Sequence, residues 1–345
     1  MLLSNFTYRS LLQRVAVQTP VEKLRGKRVL ITGASGLIGS AVVDLLLFLN
    51  EEQATECRVV AVGRDIGRLK ARFGERGDLA FEQYEEVIAG KRLREVDALV
   101  LAASPASPNL FVENPSAVLK ANTEDVAAVL MQLDPATRQK VCYVSSSEVY
   151  GDAVAPASGH IETTLGEIND SDPRSCYALG KHRAEEICRR HDELCVTMVR
   201  PGHIYGPTAR HADRRVSSAW PFDVAAGRDI VMKSDGSQIR SYTHCLDCAS
   251  AILTVLMRGE SGEVYNISNR DSIVSIRRLA QFLCEAAGVQ LICKAPSETE
   301  KAAFNPMLNS SLDAGKLEAL GWRGLIGAKE GLSSTVEILR TLKRD

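Results

Sequence analysis

Arg28-Val29-Leu30-Ile31-Thr32-Gly33-Ala34-Ser35-Gly36-Leu37-Ile38-Gly39 decides the fold. A short apolar run ends at glycines in G-x-x-G-x-x-G spacing, and a helical stretch over 38–50 follows directly. Gly33 permits a tight turn, Gly36 lets the backbone approach a pyrophosphate, and Gly39 lets the new helix pack closely on the sheet. The helix N-terminus adds free N–H groups and partial positive charge. Ser35, Leu37 and Ile38 therefore stand with the three glycines as candidate contacts to a dinucleotide. A glycine-rich turn that binds nothing is the bland alternative, and the strand–turn–helix context disfavours it.

Outward from this turn, apolar runs recur at 58–62, 97–102, 140–145 and 194–199, separated by helical spacing, notably over 115–133 and 177–191. Strands apolar on both faces, alternating with helices, predict an α/β fold with a doubly wound parallel sheet of the Rossmann kind. After Pro201 the alternation loosens, and Gly202, Gly206, Pro207 and Pro221 punctuate a loop-rich region. A strand over 240–245, a helix over 247–257, a strand over 263–267 and helices near 275–287 and 313–320 follow. The expected organisation is an N-terminal extension (1–25), a dinucleotide-binding domain (26–200) and a smaller, mainly substrate-binding lobe (201–345). A segment near 240–267 is expected to return to the first domain.

The 345 residues carry 42 Lys and Arg against 43 Asp and Glu, a formal charge of -1. That balance argues against a nucleic-acid polymer as partner, although a few placed arginines suffice for a pyrophosphate. Hydrophobic residues at 45% and charged residues at 25% exclude disordered and fibrous classes. Nine cysteines lack a disulfide-like framework, and some (Cys142, Cys195) sit in apolar runs, which suits a reducing cytosol; a cytoplasmic location is expected. Cys245-Leu246-Asp247-Cys248 has no second pair at zinc spacing and reads as structural, so no metal is expected. Residues 1–25 form neither a signal-peptide core nor a membrane span; they read as a helical extension on the surface or at a subunit contact.

Three features carry the chemistry. One strand runs out as Tyr143-Val144-Ser145-Ser146-Ser147-Glu148-Val149-Tyr150-Gly151, and a later helix opens with Cys176-Tyr177-Ala178-Leu179-Gly180-Lys181. Tyr177 and Lys181 lie one turn apart on one helix face. An ammonium beside a phenol stabilises the phenolate, so Tyr177 can act as a general base on a sugar hydroxyl while hydride leaves for a nicotinamide. Ser146 can hold the same substrate oxygen, and Glu148 reads as a second acid/base or sugar-orienting group rather than a solvated strand-end glutamate. At the second strand, Gly63 stands where an NAD enzyme carries a ribose-binding acid, and Arg64 follows. Arg64 could pair with a 2′-phosphate or stack on adenine, while Asp65 is left to reach the ribose; NAD and NADP both remain open. Ala102, Ala103, Asn122 and Arg200, with Tyr177 and Lys181, complete the candidate cofactor contacts.

At these residues the chain resembles the extended short-chain dehydrogenases, the NAD-dependent sugar-nucleotide epimerase/dehydratase family, and within it the UDP-glucuronate decarboxylase (UDP-xylose synthase) group. The resemblance covers roughly 26–340. It is carried by Ala103-Ser104-Pro105-Ala106-Ser107-Pro108, the 145–152 stretch, Arg174-Ser175-Cys176-Tyr177 with Gly180-Lys181 and Ala184-Glu185, and Gly236-Ser237-Gln238 with Arg240. It implies that Ser146 stands in the place of a catalytic threonine, that Glu148, Tyr177 and Lys181 match catalytic positions, and that Arg240 holds the substrate pyrophosphate. Pro105, Ser147, His203 and Arg215 are the further substrate-binding candidates. The dehydratase branch has an acid where this chain has Ser147, which disfavours loss of water. His203 and Ala219 replace asparagines usual in the group, and His203 alternatively fills a structural niche. The resemblance also implies a homodimer through the 115–133 and 177–191 helices. The leading expectation is an NAD-dependent enzyme that works through a transient 4-keto sugar, specifically UDP-glucuronate decarboxylation. A 4-epimerase or dehydratase is the alternative, then an NADP-dependent carbonyl reductase. A non-catalytic NAD(P)-binding regulatory protein is the reading of another class.

Overall fold

Alternate residues of β1 (Arg28–Thr32) face opposite sides of a sheet, and both sides are apolar. Val29 and Ile31 join one core and Leu30 the other, as do Val59 and Ala61 against Val60 and Val62 in β2 (Arg58–Gly63). This two-sided burial requires helices on both faces, and the computed structural model supplies them. It describes residues 2–90, 93–106, 108–295 and 307–342; Ser107 of the 103–108 motif lies outside the described residues.

The sheet continues with β3 (Leu79–Gln83), β4 (Ala98–Leu101), β5 (Lys140–Val144) and β6 (Cys195–Pro201). Beyond it come β7 (His203–Tyr205), β8 (Ile230–Met232), β9 (Ile239–His244), β10 (Val264–Ile267), β11 (Ile273–Ser275), β12 (Leu291–Cys293) and β13 (Asn309–Ser310). Seven strands form one parallel sheet in the order β10-β6-β5-β4-β1-β2-β3. The order reverses between β1 and β4, where a doubly wound fold binds its ligand. β7 and β13 run parallel to β9 and β11 runs antiparallel to it, forming a smaller sheet of the C-terminal half. A third core lies there, between the Val216–Ala225, Ile276–Ala287 and Ala328–Leu342 helices.

Four differences from expectation have physical reasons. The Phe6–Ala16 helix is not a surface appendage: Tyr8, Leu12 and Val15 are fully buried, and the Tyr8 hydroxyl donates to Asp44 at 2.8 Å. The helix expected over 115–133 breaks at Thr123 (φ -124°, ψ -74°) into Pro115–Asn122 and Glu124–Leu130. β3 is an edge strand with one fully buried residue, so it lacks the apolar run that marks its neighbours. Pro221, expected in a loop-rich region, lies inside the Val216–Ala225 helix. Among the described residues, no helix is long and apolar enough to cross a membrane.

Candidate active site

Because the main strands are parallel, their C-terminal ends deliver Gly33, Gly63, Ala102, Ser145 and Gly202 to one edge of the sheet. The glycine turn there fits a dinucleotide on steric grounds. Gly33 has φ +66°, and a Cβ on it would lie 2.7 Å from Ala102 O. A Cβ on Gly39 would lie 2.4 Å from Gly33 O, whereas Gly36 meets only that same oxygen, at 3.2 Å. Gly36 caps the Leu37–Gln53 helix without a side chain, leaving the N–H groups of the first turn, Leu37 and Ile38 among them, to a ligand. Thr32 ties the turn to the neighbouring loop: its Oγ1 accepts from the N–H groups of Ala102 (3.0 Å) and Ala103 (3.1 Å). The C-terminal half closes on the turn from above. Thr208 Oγ1 donates to Leu37 O at 2.8 Å, and Arg210 donates to Ser35 O (3.0 Å) and Ser35 Oγ (2.6 Å).

Further along the edge, Ser146 leaves β5 and caps a short turn, its Oγ accepting from Glu148 N at 3.2 Å. The Cys176–Arg190 helix brings Tyr177 beside Ser146, close enough for the serine hydroxyl to favour the phenolate. Burial pushes the Tyr177 phenol up to about 12; Ser146 and Arg215 pull it back, and Glu148 raises it. Lys181 is 2% exposed and donates to Val144 O at 2.6 Å, with its ammonium 4.8 Å from the Tyr143 ring centroid and 5.7 Å from that of Tyr177. Burial drops the Lys181 ammonium to about 7, against the opposing pull of Glu185. Contrary to the expectation that an ammonium beside the phenol stabilises the phenolate, burial holds Tyr177 in its protonated form here and only Lys181 titrates near neutral pH. A substrate and an oxidised cofactor in the cleft would have to supply the charge that activates the phenol.

Glu148 lines the open cleft. The surrounding protein raises its carboxyl pKa, and Arg240 and Arg215 lower it. Arg240 is 4% exposed and held by backbone carbonyls alone, Ile239 O at 2.8 Å and Met307 O at 2.9 Å, with no carboxylate in ion-pair distance among the described residues. Arg215 is aimed by Asp213, which accepts from its Nε at 3.0 Å. His203, expected in a loop, sits in β7 opposite Tyr242, with ring centroids 5.6 Å apart. Its Nδ1 is buried without a hydrogen-bond partner among the described residues. Burial and the charges of Arg240 and Arg215 hold its pKa down at about 3, so the imidazole is neutral at working pH. Ser147 opens the turn beside Glu148, and Pro105 is half-buried in the loop after β4.

Two expected cofactor contacts are internal instead. Arg200 donates to both oxygens of Glu185 (2.8 and 2.6 Å) and to Glu162 O (2.9 Å), so its guanidinium is committed to fastening the Cys176–Arg190 helix to β6. Ser145 joins this pair by donating to Glu185 Oε1 at 2.6 Å. Asn122 is fully buried, donates to Val118 O and accepts from the Tyr143 hydroxyl. Asp65 is also taken: it caps the Ile66–Phe73 helix by accepting from Arg68 N at 2.9 Å. Phe111, which the sequence did not single out, stacks on Tyr177 with ring centroids 4.9 Å apart and planes 13° apart, covering one face of the phenol. Arg210 was missed as well; only a basic residue shortly after Gly206-Pro207 marked it.

Known proteins share this architecture. UDP-glucuronic acid decarboxylase 1 of Xenopus tropicalis is 29% identical over 323 residues, covering 91% of this chain and 72% of that protein. UDP-glucuronic acid decarboxylase 3 of Arabidopsis thaliana is 28% identical, covering 91% and 89%. Among solved structures, a dTDP-glucose 4,6-dehydratase from Streptomyces venezuelae with NAD bound superposes with a TM-score of 0.76 at 25% identity, covering 92% of this chain and 98% of that one. The sequence profile of the NAD dependent epimerase/dehydratase family matches residues 29–268, well over half of the length, and the chain belongs to that family.

Proposed function

We propose that this chain is a redox-neutral sugar-nucleotide enzyme, and specifically that it decarboxylates UDP-glucuronate. One observation carries the reading: a Glu148 carboxyl, flanked by Arg240 and Arg215, shares the cleft with the Ser146–Tyr177–Lys181 group. The decarboxylases of Xenopus and Arabidopsis support the substrate, and Ser147 in place of an acid argues against dehydration.

In this mechanism Tyr177, oriented by Ser146 and charge-balanced by Lys181, takes the proton of the sugar 4-hydroxyl. When bound, the dinucleotide supplies the acceptor for the hydride from carbon 4 and later its donor. The resulting 4-ketone is β to the sugar carboxylate, so the carbon 5–carboxyl bond breaks, carbon dioxide leaves and the electron pair enters the enolate. Arg240 and Arg215 balance anionic charge, and Glu148 is placed to deliver or direct the proton that returns to carbon 5. Tyr177 then gives its proton back to the carbon 4 oxygen. The Ser146, Tyr177 and Lys181 groups together favour this reading over a non-catalytic binding protein, which has no need of all three.

Mass spectrometry of the purified chain incubated with NAD⁺ and UDP-glucuronate is expected to reveal a product lighter by carbon dioxide, without net accumulation of reduced cofactor. An isomer of equal mass would instead establish 4-epimerisation, and loss of water from another sugar nucleotide would establish dehydration.

The reading extends to assembly and location. The Pro115–Asn122 and Cys176–Arg190 helices pack side by side, with Gly180 close against Asn122, and two such pairs would form a four-helix dimer contact. Sedimentation at micromolar concentration is expected to give twice the chain mass; a monomer there would overturn the homodimer. All nine cysteines are unbridged, which supports a reducing, cytoplasmic setting.

A further inference from the structure

The N-terminal ends of the parallel strands, at the edge of the sheet away from the catalytic groups, frame a second cleft of about 630 Å³. Lys27 precedes β1, Asp97 precedes β4 and Lys140 opens β5, while the short Val21–Leu24 helix of the N-terminal segment adds Lys23. That volume falls in the range of small-molecule sites, roughly 300–1,000 Å³. Its walls are fixed to each other. Gln139 is buried and donates to Leu93 O (2.5 Å) and Val96 O (2.7 Å), which ties the loop before β5 to the loop before β4.

The charges of this cleft do not balance. Six basic side chains line it against three acidic ones, and each carboxylate already has a cation. Glu22 pairs with Arg25 at 3.7 Å, Asp97 with Lys27 at 3.1 Å, and Glu95 with Arg28 at 2.9 Å. Among the described residues, Lys23, Arg94, Arg138 and Lys140 have no carboxylate within ion-pair distance. Two of the four converge on one atom. Lys140 Nζ donates to Met257 O at 2.9 Å, and Lys23 Nζ donates to the same oxygen at 3.4 Å. Met257 lies in the last turn of the Cys245–Arg258 helix, an end that carries only about half an elementary negative charge against two whole positive ones. The second ammonium therefore exceeds what capping the helix needs. Lys140 is half-buried, and burial, followed by the charge of Lys23, lowers its pKa. Arg138, on the loop before β5, holds a left-handed backbone (φ +51°), a strained state that persists where its surroundings require it.

Like charges gathered without a counterion repel one another until an anion joins them. Guanidinium forks and ammonium point charges together suit phosphate oxygens. We propose that this cleft binds a small phosphate compound carrying at least two negative charges, held by Lys23, Arg94, Arg138 and Lys140. The site is separate from the dinucleotide cleft, and the inference does not rest on the sugar chemistry.

Acylation of the full chain with acetic anhydride, read lysine by lysine from peptide masses, tests it. The probes are inorganic pyrophosphate and fructose 1,6-bisphosphate at millimolar concentration, with sulfate as the control. Acylation of Lys23 and Lys140 is expected to slow about tenfold with either probe, and the protection is expected to fade as salt is raised. Lys70 and Lys329, outside the cleft, are expected to react as before. Stronger protection by the bisphosphate would identify a phosphate ester as the ligand, and stronger protection by pyrophosphate a free polyphosphate; either supports the site. Equal protection by sulfate would mean an adventitious ion only and would overturn the proposal, as would unprotected lysines. Arg94→Gln with Arg138→Gln is expected to remove most of the protection at the two lysines while sugar-nucleotide turnover, read by mass, stays unchanged. Undiminished protection in that variant would also sink the proposal, and the wild-type arms decide it where the variant does not fold.

Discussion

Replacing Tyr177 by phenylalanine is expected to lower kcat by about 10²- to 10⁴-fold, the range a positioned general base contributes, while the protein stays folded and binds its dinucleotide. The ring remains stacked on Phe111, and only the hydroxyl beside Ser146 is lost. That hydroxyl has no substitute nearby. Glu148 is another titratable group of the cleft, its carboxyl raised by burial and only partly pulled back by Arg240 and Arg215, but it is assigned to carbon 5 rather than to the 4-hydroxyl. Turnover of Tyr177→Phe within tenfold of the parent, measured on the substrate that the mass assay identifies, would remove Tyr177 from the mechanism.

Lys181→Met is expected to abolish activity and to make the protein more stable below neutral pH. In the folded chain the ammonium titrates at about 7, whereas an unfolded lysine titrates near its ordinary value of 10.5. Below pH 7 both states are protonated, and burying the charge costs about 5 kcal/mol. Between pH 7 and about 10 the unfolded chain binds more protons than the folded one, so the wild type gains stability as pH rises. Methionine removes the buried charge but leaves Val144 O without its donor, a loss of about 1–3 kcal/mol. The variant is therefore favoured by roughly 2–4 kcal/mol at pH 6 and disfavoured at pH 10. Urea unfolding at the two pH values checks this. A variant less stable than the parent at pH 6 would mean that Lys181 is not buried as a charge.

The parts of the molecule legible in the sequence are those governed by local sterics or by spacing along one element. The glycine turn announces itself because only glycine fits a Cβ-free contact at Gly33 and Gly39. Tyr177 and Lys181 are readable because helical geometry alone puts them on one face. The residues that escaped depend on partners far along the chain. Arg200 looks available to a cofactor in the sequence, but Glu185 holds two of its donors and Glu162 O a third, and Phe111 meets Tyr177 only across the loop after β4. β3 escaped because an edge strand needs little apolar side chain, and the Phe6–Ala16 helix looked peripheral because its partners lie in other elements of the fold. His203 shows the same limit: its neutrality comes from burial first and then from Arg240 and Arg215, neither of them adjacent in sequence.

The bonds from Thr208 and Arg210 to Leu37 and Ser35 bear on how long a cofactor stays. They fasten the roof of the cleft to the turn beneath a bound dinucleotide, so the exit on that side opens only when they break. In a cycle that returns the hydride to the molecule it came from, no exchange with the cellular pool is needed between turnovers. The dinucleotide then behaves as a prosthetic group, and the rate at which sugars are processed becomes independent of how much of the pool is oxidised or reduced.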